Sequence, residues 1–173
     1  MTKIKPESFS IVPMESKHLP GVLEVESLSF SLPWSKELFL NELKNPNSRI
    51  FLLQIQAESQ VITAGHISVW LVADEVHILN LAIHPSFRRK GLGFLLLSYA
   101  LTYSLERRME SATLEVRENN FPARSLYKKF GFQQVGVRPK YYQDTGENAL
   151  ILDIDLTPFE RGPRDTLKVP LEL

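Results

Sequence analysis

The sequence predicts an α/β fold in which a mixed, mostly antiparallel central sheet carries one parallel β-α-β crossover and is flanked by helices. Three observations carry that expectation. Seven short runs rich in β-branched and aromatic residues are spaced along the chain. Helical periodicity appears between them, twice near the start and twice in the second half. The long apolar stretch Leu92–Leu105 separates two of the runs, and a strand-helix-strand unit of that length makes its strands parallel.

Phe9–Val12 is a short apolar run ended by Pro13, and it reads as the first strand. His18–Phe30 reads as a helix with apolar positions at Leu19, Val22, Val25 and Leu28, interrupted by Glu26. Pro33 precedes Trp34 and Ser35, and Ser35 is placed to cap a second helix through Leu38, Leu40 and Leu43 until Asn45-Pro46 stops it. Ile50–Ile55, Val61–Val72 and Val76–Ile83 then read as three antiparallel strands, divided by polar turns at Ala57–Gln60 and Ala73–Glu75. A basic, glycine-bearing turn leads into the apolar helix that ends near Arg107-Arg108, and Ala112–Val116 is the next strand. Asn119-Asn120 opens a helix over Phe121–Phe130, closed by Gly131, and Gln133–Val137 and Ala149–Leu156 are the last two strands.

The chain has 173 residues, the size of one ordinary domain, with 43% apolar and 23% charged residues. These proportions exclude a disordered or fibrous chain. Residues 1–156 are expected to form the single domain, and 157–173, with Pro158, Gly162, Pro163 and Pro170, a loosely ordered tail. Lys plus Arg and Asp plus Glu both number 20, so no global basic field exists to hold a nucleic acid. With no Cys, the chain has no disulfide, thiolate metal site or acyl-cysteine intermediate. Four histidines at 18, 66, 77 and 84 lack the paired spacing of a metal site, and no metal is expected. Leu92–Leu105 falls short of the roughly 20 apolar residues of a membrane span, and the first ten residues lack a secretory pattern. A cytoplasmic location with no membrane partner is the expectation.

Arg88-x-x-Gly91-x-Gly93 sits between an apolar strand and a long helix, where free N–H groups and the helix dipole favour an anion. Glycine there lets the backbone approach phosphate oxygens without a Cβ in the way. Arg88, Arg89 and Lys90 add positive charge, and the tripeptide lacks the interleaved aromatics of a nucleic-acid site. Neither a completed Gly-x-Gly-x-x-Gly nor a Gly-Lys-Ser/Thr is present, which disfavours a dinucleotide fold or a P-loop. A plain strand-to-helix turn remains the alternative.

Ile83-His84-Pro85-x-x-Arg88-Arg89-Lys90-Gly91-Leu92-Gly93, followed by a long apolar helix, resembles motif A of the GNAT N-acetyltransferases, which bind acetyl-CoA. Leu114–Arg117, Asn119-Asn120, Ala123, Leu126-Tyr127 and Gly131-Phe132 look like the rest of that core. Pro33-Trp34-Ser35, Arg138-x-x-Tyr141-Tyr142 and Gly146-Glu147-x-Ala149 are similar to the ribosomal-protein-alanine branch, which acetylates protein N-termini. The resemblance implies a GNAT fold and coenzyme contacts from the backbone of Leu81, Ala82 and Ile83, from the turn Arg88, Arg89, Lys90, Gly91, Leu92, Gly93 and Phe94, and from Asn120. It implies an acceptor cleft lined by Trp34, Tyr141 and Tyr142. The branch's Phe-Pro-Trp reads Leu32-Pro33-Trp34 here, its Tyr-Tyr-Pro reads Tyr141-Tyr142-Gln143, and its Glu-Asp-Ala reads Glu147-Asn148-Ala149.

An amine attacks a thioester as the free base, and an α-ammonium group titrates at about 7.7 to 8.0, so a modest proton acceptor is sufficient. Glu115, at the end of the apolar strand, is the candidate base, with a solvent-facing glutamate as the alternative. Tyr127 takes the family's general-acid position and would protonate the departing thiolate; a packed helical aromatic is its alternative. Asn120 is also an ordinary helix N-cap, and Trp34 an ordinary core aromatic. Without Cys, direct transfer in a ternary complex is expected. The acceptor is expected to be a protein N-terminus, the alanine of small-subunit ribosomal protein eighteen foremost. A small amine or internal lysine as acceptor, and a non-catalytic acetyl-CoA-binding module, are the other readings.

Overall fold

A computed structural model describes residues 8–57 and 60–160. Strands β1 (Ser8–Pro13), β2 (Ser48–Ala57), β3 (Gln60–Val72), β4 (Glu75–Ile83), β5 (Ser111–Arg117), β6 (Gln133–Tyr142) and β7 (Glu147–Asp155) form a seven-stranded sheet in the order β1-β2-β3-β4-β5-β7-β6. The helices are α1 (Leu19–Ser29), α2 (Lys36–Lys44), α3 (Leu92–Leu105), α4 (Phe121–Phe130) and the single turn α5 (Thr157–Glu160). This is the mixed α/β architecture expected, with β4 and β5 parallel. Among the described residues the chain divides into two compact units, one containing residues 8–57, 60–68 and 80–97, the other 69–79 and 98–160.

In the first unit β1 pairs antiparallel with β2, from Ser8 opposite Gln56 to Pro13 opposite Phe51. Met14, Leu19, Val22, Phe39, Ile50 and Leu52 form its core, with Trp34 and Leu43 packed against it. Ser35 caps α2 as expected, its hydroxyl accepting from the Leu38 N–H at 3.2 Å. The stripe of α1 differs from expectation. Leu28 is 50% exposed, whereas Glu26 is fully buried. At about 100° per residue, Leu28 lies about 180° from Leu19, while Glu26 falls on the face of Leu19 and Val22.

In the second unit the parallel ladder joins Glu75–Ile78 to Ser111–Leu114. Antiparallel pairing joins β5 to β7, from Ser111 opposite Asp155 to Arg117 opposite Ala149. Ala112, Leu114 and Val116 face the interior, so Glu115 shares the other face with Thr113 and Arg117. Strand β6 runs on to Tyr142, past the Val137 end expected, because its ladder with β7 resumes after register shifts and closes at Tyr142 opposite Glu147. Lys140 takes φ 50° at this irregularity, and its N–H reaches Asn148 Oδ1 at 3.0 Å. The segment expected to form a tail opens on the turn α5, where the Asp155 carboxylate accepts from the Thr157 N–H at 2.9 Å and hydroxyl at 2.7 Å. Residues 161–173 of that expectation lie outside the described residues.

Candidate active site

The glycine turn of the first unit is built by the end of β4. The His84 N–H donates to the Ala64 carbonyl at 2.9 Å, and Pro85–Phe87 make one tight helical turn in which His84 Nδ1 accepts from the Ser86 N–H at 3.2 Å. Arg89 and Gly91 then take positive φ, 65° and 76°, which swings the chain into α3. The first α3 bond runs from the Leu95 N–H to the Gly91 carbonyl at 3.0 Å. The first N–H groups of an α-helix point away from its own carbonyls, and donors so arranged suit an anion. The space around Gly91 is open, so its requirement is the positive φ rather than room for a Cβ.

The three basic residues have different fates. Arg88 is exposed but tied back to the chain, its Nε donating to the Ile83 carbonyl at 2.9 Å and its guanidinium to Ser29 Oγ at 3.1 Å. It fastens the turn to β4 and α1. Lys90 lies over the Phe87 ring at 5.7 Å, and Arg89 is exposed. Leu81, Ala82 and Ile83 lie on β4, beyond the residues of that strand that join β5, with only Ala82 fully buried. Gly65 on β3, which sequence reasoning passed over, packs tightly against this strand: a Cβ there would stand 2.6 Å from the Ala82 carbonyl oxygen.

Trp34 is half-buried, its ring 5.3 Å from Phe39. It packs against the core and keeps part of its surface exposed. Its backbone N–H donates to Glu26 Oε2 at 2.9 Å. Nothing in a lone glutamate within an apolar stripe announces this contact; the signal was its position on the buried face.

In the second unit the Glu115 side chain is 28% exposed, with Arg138 Nε 2.5 Å from its Oε1. The Tyr141 hydroxyl bonds to the same carboxylate, which raises the Tyr141 pKa because the bond favours the protonated phenol. Tyr141 and Tyr142 meet edge to face at 5.3 Å. Tyr142 is half-buried, and burial pushes its hydroxyl to about 12 despite the nearby Arg117 cation. Arg117 stacks 3.9 Å from the Tyr142 ring, donates to both oxygens of Asp144 at 2.8 and 2.9 Å, and lies 3.6 Å from Glu147. This one guanidinium holds the turn after β6. Arg117 and Arg138 stood in the matched motifs with no role assigned, and the alternation of β5 was the signal that could have placed Arg117 beside Glu115.

Tyr127 is buried on α4, edge to face with Phe132 at 5.7 Å. Burial drives its pKa far above the ordinary value, with a smaller effect from Tyr142. It keeps its proton at any working pH. Asn120 caps α4, its Oδ1 accepting from the Ala123 N–H at 3.2 Å, and Gly131 ends the helix at φ 96°. The second unit thus gathers Glu115, Tyr141 and Tyr142, with Tyr127 close enough to feel Tyr142. The first gathers Trp34, the end of β4 and the glycine turn around α1.

Residues 19–132 match the model of the acetyltransferase (GNAT) family. A Bacillus subtilis (strain 168) protein provisionally named [ribosomal protein bS18]-alanine N-acetyltransferase is 39% identical over 140 residues, 80% of this chain and 90% of that one. The [ribosomal protein bS18]-alanine N-acetyltransferase of Escherichia coli (strain K12) is 29% identical over 150 residues, 86% of this chain and 98% of its own length. The crystal structure of the corresponding alanine N-acetyltransferase from Escherichia coli superposes with TM-score 0.76 at 28% identity, covering 86% of this chain and 94% of that one. Other solved chains of this fold hold coenzyme A or acetyl-CoA, the donor the family uses. The chain belongs to the acetyltransferase (GNAT) family, an N-acetyltransferase by descent as well as by fold.

Proposed function

We propose that this protein transfers the acetyl group of acetyl-CoA to the α-amino group of a protein N-terminus, the N-terminal alanine of ribosomal protein bS18 of the small subunit foremost, by direct attack in a ternary complex. The observation that carries this reading is the likeness, over four-fifths of the chain, to relatives named for that reaction. The backbone of Leu81, Ala82 and Ile83 takes the pantetheine amides, and a β4 N–H near Ile83 stabilises charge developing on the thioester oxygen. The donors of Gly91, Leu92, Gly93 and Phe94 meet the pyrophosphate, with Arg89 and Lys90 supplying positive charge. Arg88 holds this turn in place through Ile83 and Ser29. Asn120 adds a bond to the pantetheine arm beyond its capping role.

Trp34, Tyr141 and Tyr142 line the acceptor cleft. With its α-ammonium proton lost to solvent, the free amine attacks the thioester carbonyl, and Glu115 takes the proton that the attacking nitrogen then sheds, directly or through a water. As the carbon–sulfur bond breaks, Tyr127 donates its proton to the coenzyme thiolate. Burial keeps Tyr127 in its neutral, proton-bearing form. The balanced net charge supports a reaction without nucleic acid or membrane, and among the described residues no helix is long and apolar enough to cross a membrane. A cytoplasmic location fits a ribosomal substrate.

Mass spectrometry of peptides incubated with the protein and acetyl-CoA tests the reading. An Ala-Arg peptide with a free N-terminus gains one acetyl group, while the same peptide blocked at its N-terminus, with an internal lysine, and a small polyamine do not. Acetylation of the lysine or polyamine alone overturns the acceptor, and transfer to none overturns the enzyme.

A further inference from the structure

Glu26 is a fully buried carboxylate on α1, among Leu19, Val22 and Val25. A charge in such a place persists only where donors satisfy it. Here three elements converge on it. The backbone N–H of Trp34 donates to Oε2 at 2.9 Å, and Asn80 Nδ2 on β4 donates to Oε1 at 2.7 Å. His66 on β3, also fully buried, brings Nε2 to 2.9 Å from Oε1, a close polar contact set off the direction of a linear hydrogen bond. The imidazole stands edge-on to Phe39 at 5.6 Å, and Phe39 contacts the Trp34 ring. Trp34 is thus fixed at both ends, its backbone by Glu26 and its indole by the ring that His66 supports. Asn80 immediately precedes Leu81, so the same carboxylate ties the loop carrying Trp34 to the strand assigned to the coenzyme.

An apolar side chain of similar volume would fill this space without choosing a direction. A carboxylate shared between a loop N–H and two side chains on neighbouring strands specifies one loop position. We propose that Glu26, with His66 and Asn80, is a positioning site that sets the place of Trp34 and thereby the acceptor preference, keeping the cleft narrow enough for a small N-terminal side chain. This rests on the reading that Trp34 lines the acceptor cleft.

The test compares full-length wild type, Glu26→Gln and Trp34→Ala with acetyl-CoA and peptides beginning with Ala or with Leu. A glutamine keeps the volume but exchanges one accepting oxygen for an NH2 donor, so it cannot accept from both the Trp34 N–H and Asn80 Nδ2. In Glu26→Gln the KM for the Ala peptide rises about 10-fold or more and the preference for Ala over Leu falls about 5-fold, while kcat and the KM for acetyl-CoA stay within about 3-fold. Unchanged peptide KM and preference, or a fall in kcat together with weaker acetyl-CoA binding, overturn the proposal. If Trp34→Ala leaves the peptide KM unmoved, the cleft reading fails and takes the proposal with it. If Trp34→Ala raises that KM and Glu26→Gln does not, the positioning site alone fails. Should Glu26→Gln not fold, Asn80→Ala removes one donor and raises the peptide KM about 3-fold, an unchanged value counting against the site. In a Trp70→Phe background Trp34 is the sole indole, and its quenching by acrylamide increases in Glu26→Gln and in Asn80→Ala; equal quenching overturns the proposal.

Discussion

A carboxylate shared by Arg138 and Tyr141 is a different object from a lone surface glutamate, and this sharing gives Glu115 its fixed direction. Replacing Glu115 by Gln keeps the shape and removes the acceptor lone pairs that would take the amine proton. Turnover falls roughly 10²-fold or more while acetyl-CoA still binds, read as thiol release and as calorimetric affinity. Tyr127→Phe has the same outcome, and since the side chain is buried the ring must be kept for the comparison to be fair. Wild-type turnover in both variants would remove these residues from the chemistry.

Among the elements, α4 asks a sharper question, because Asn120 is both its cap and a coenzyme contact in the proposed reaction. Asn120→Ala loses about 1 kcal/mol from the missing cap, so a drop in activity there is ambiguous. Asn120→Ser retains a capping hydroxyl. If the coenzyme contact is real, this variant keeps the thermal midpoint and binds acetyl-CoA more weakly; unchanged affinity assigns Asn120 to the helix alone. The β3–β4 pair makes a second demand. Gly65→Ala would set a methyl 2.6 Å from the Ala82 carbonyl, and the strand must move to admit it. We expect a loss of about 1–3 kcal/mol in urea unfolding together with weaker acetyl-CoA binding. Affinity unchanged at lower stability would separate the strand from the donor.

For the whole molecule, titration of the buried phenols shapes stability at high pH. Tyr142 ionises at 10.0 when unfolded and at about 12 when folded, so the fold favours the neutral form. Its contribution is complete below pH 10 and is lost as pH rises toward 12. Urea midpoints measured across that window fall, and they fall less steeply in Tyr142→Phe; parallel slopes would disprove the assignment. Much of this architecture was legible beforehand, since period and punctuation marked every strand and the four longer helices, and Ser35, Asn120 and Gly131 stand where caps and stops were expected. The partners of Glu26, His66 and Arg117 were not legible, because they lie 8 to 54 residues away in sequence and only tertiary structure brings polar groups of such separation together. Strand β6 carries a last consequence. It closes one side of the sheet with Val135 and Val137 exposed, a surface on which another chain could lay a strand. The two register shifts and Pro139 break its row of donors and acceptors, which works against fibrous self-association through this strand.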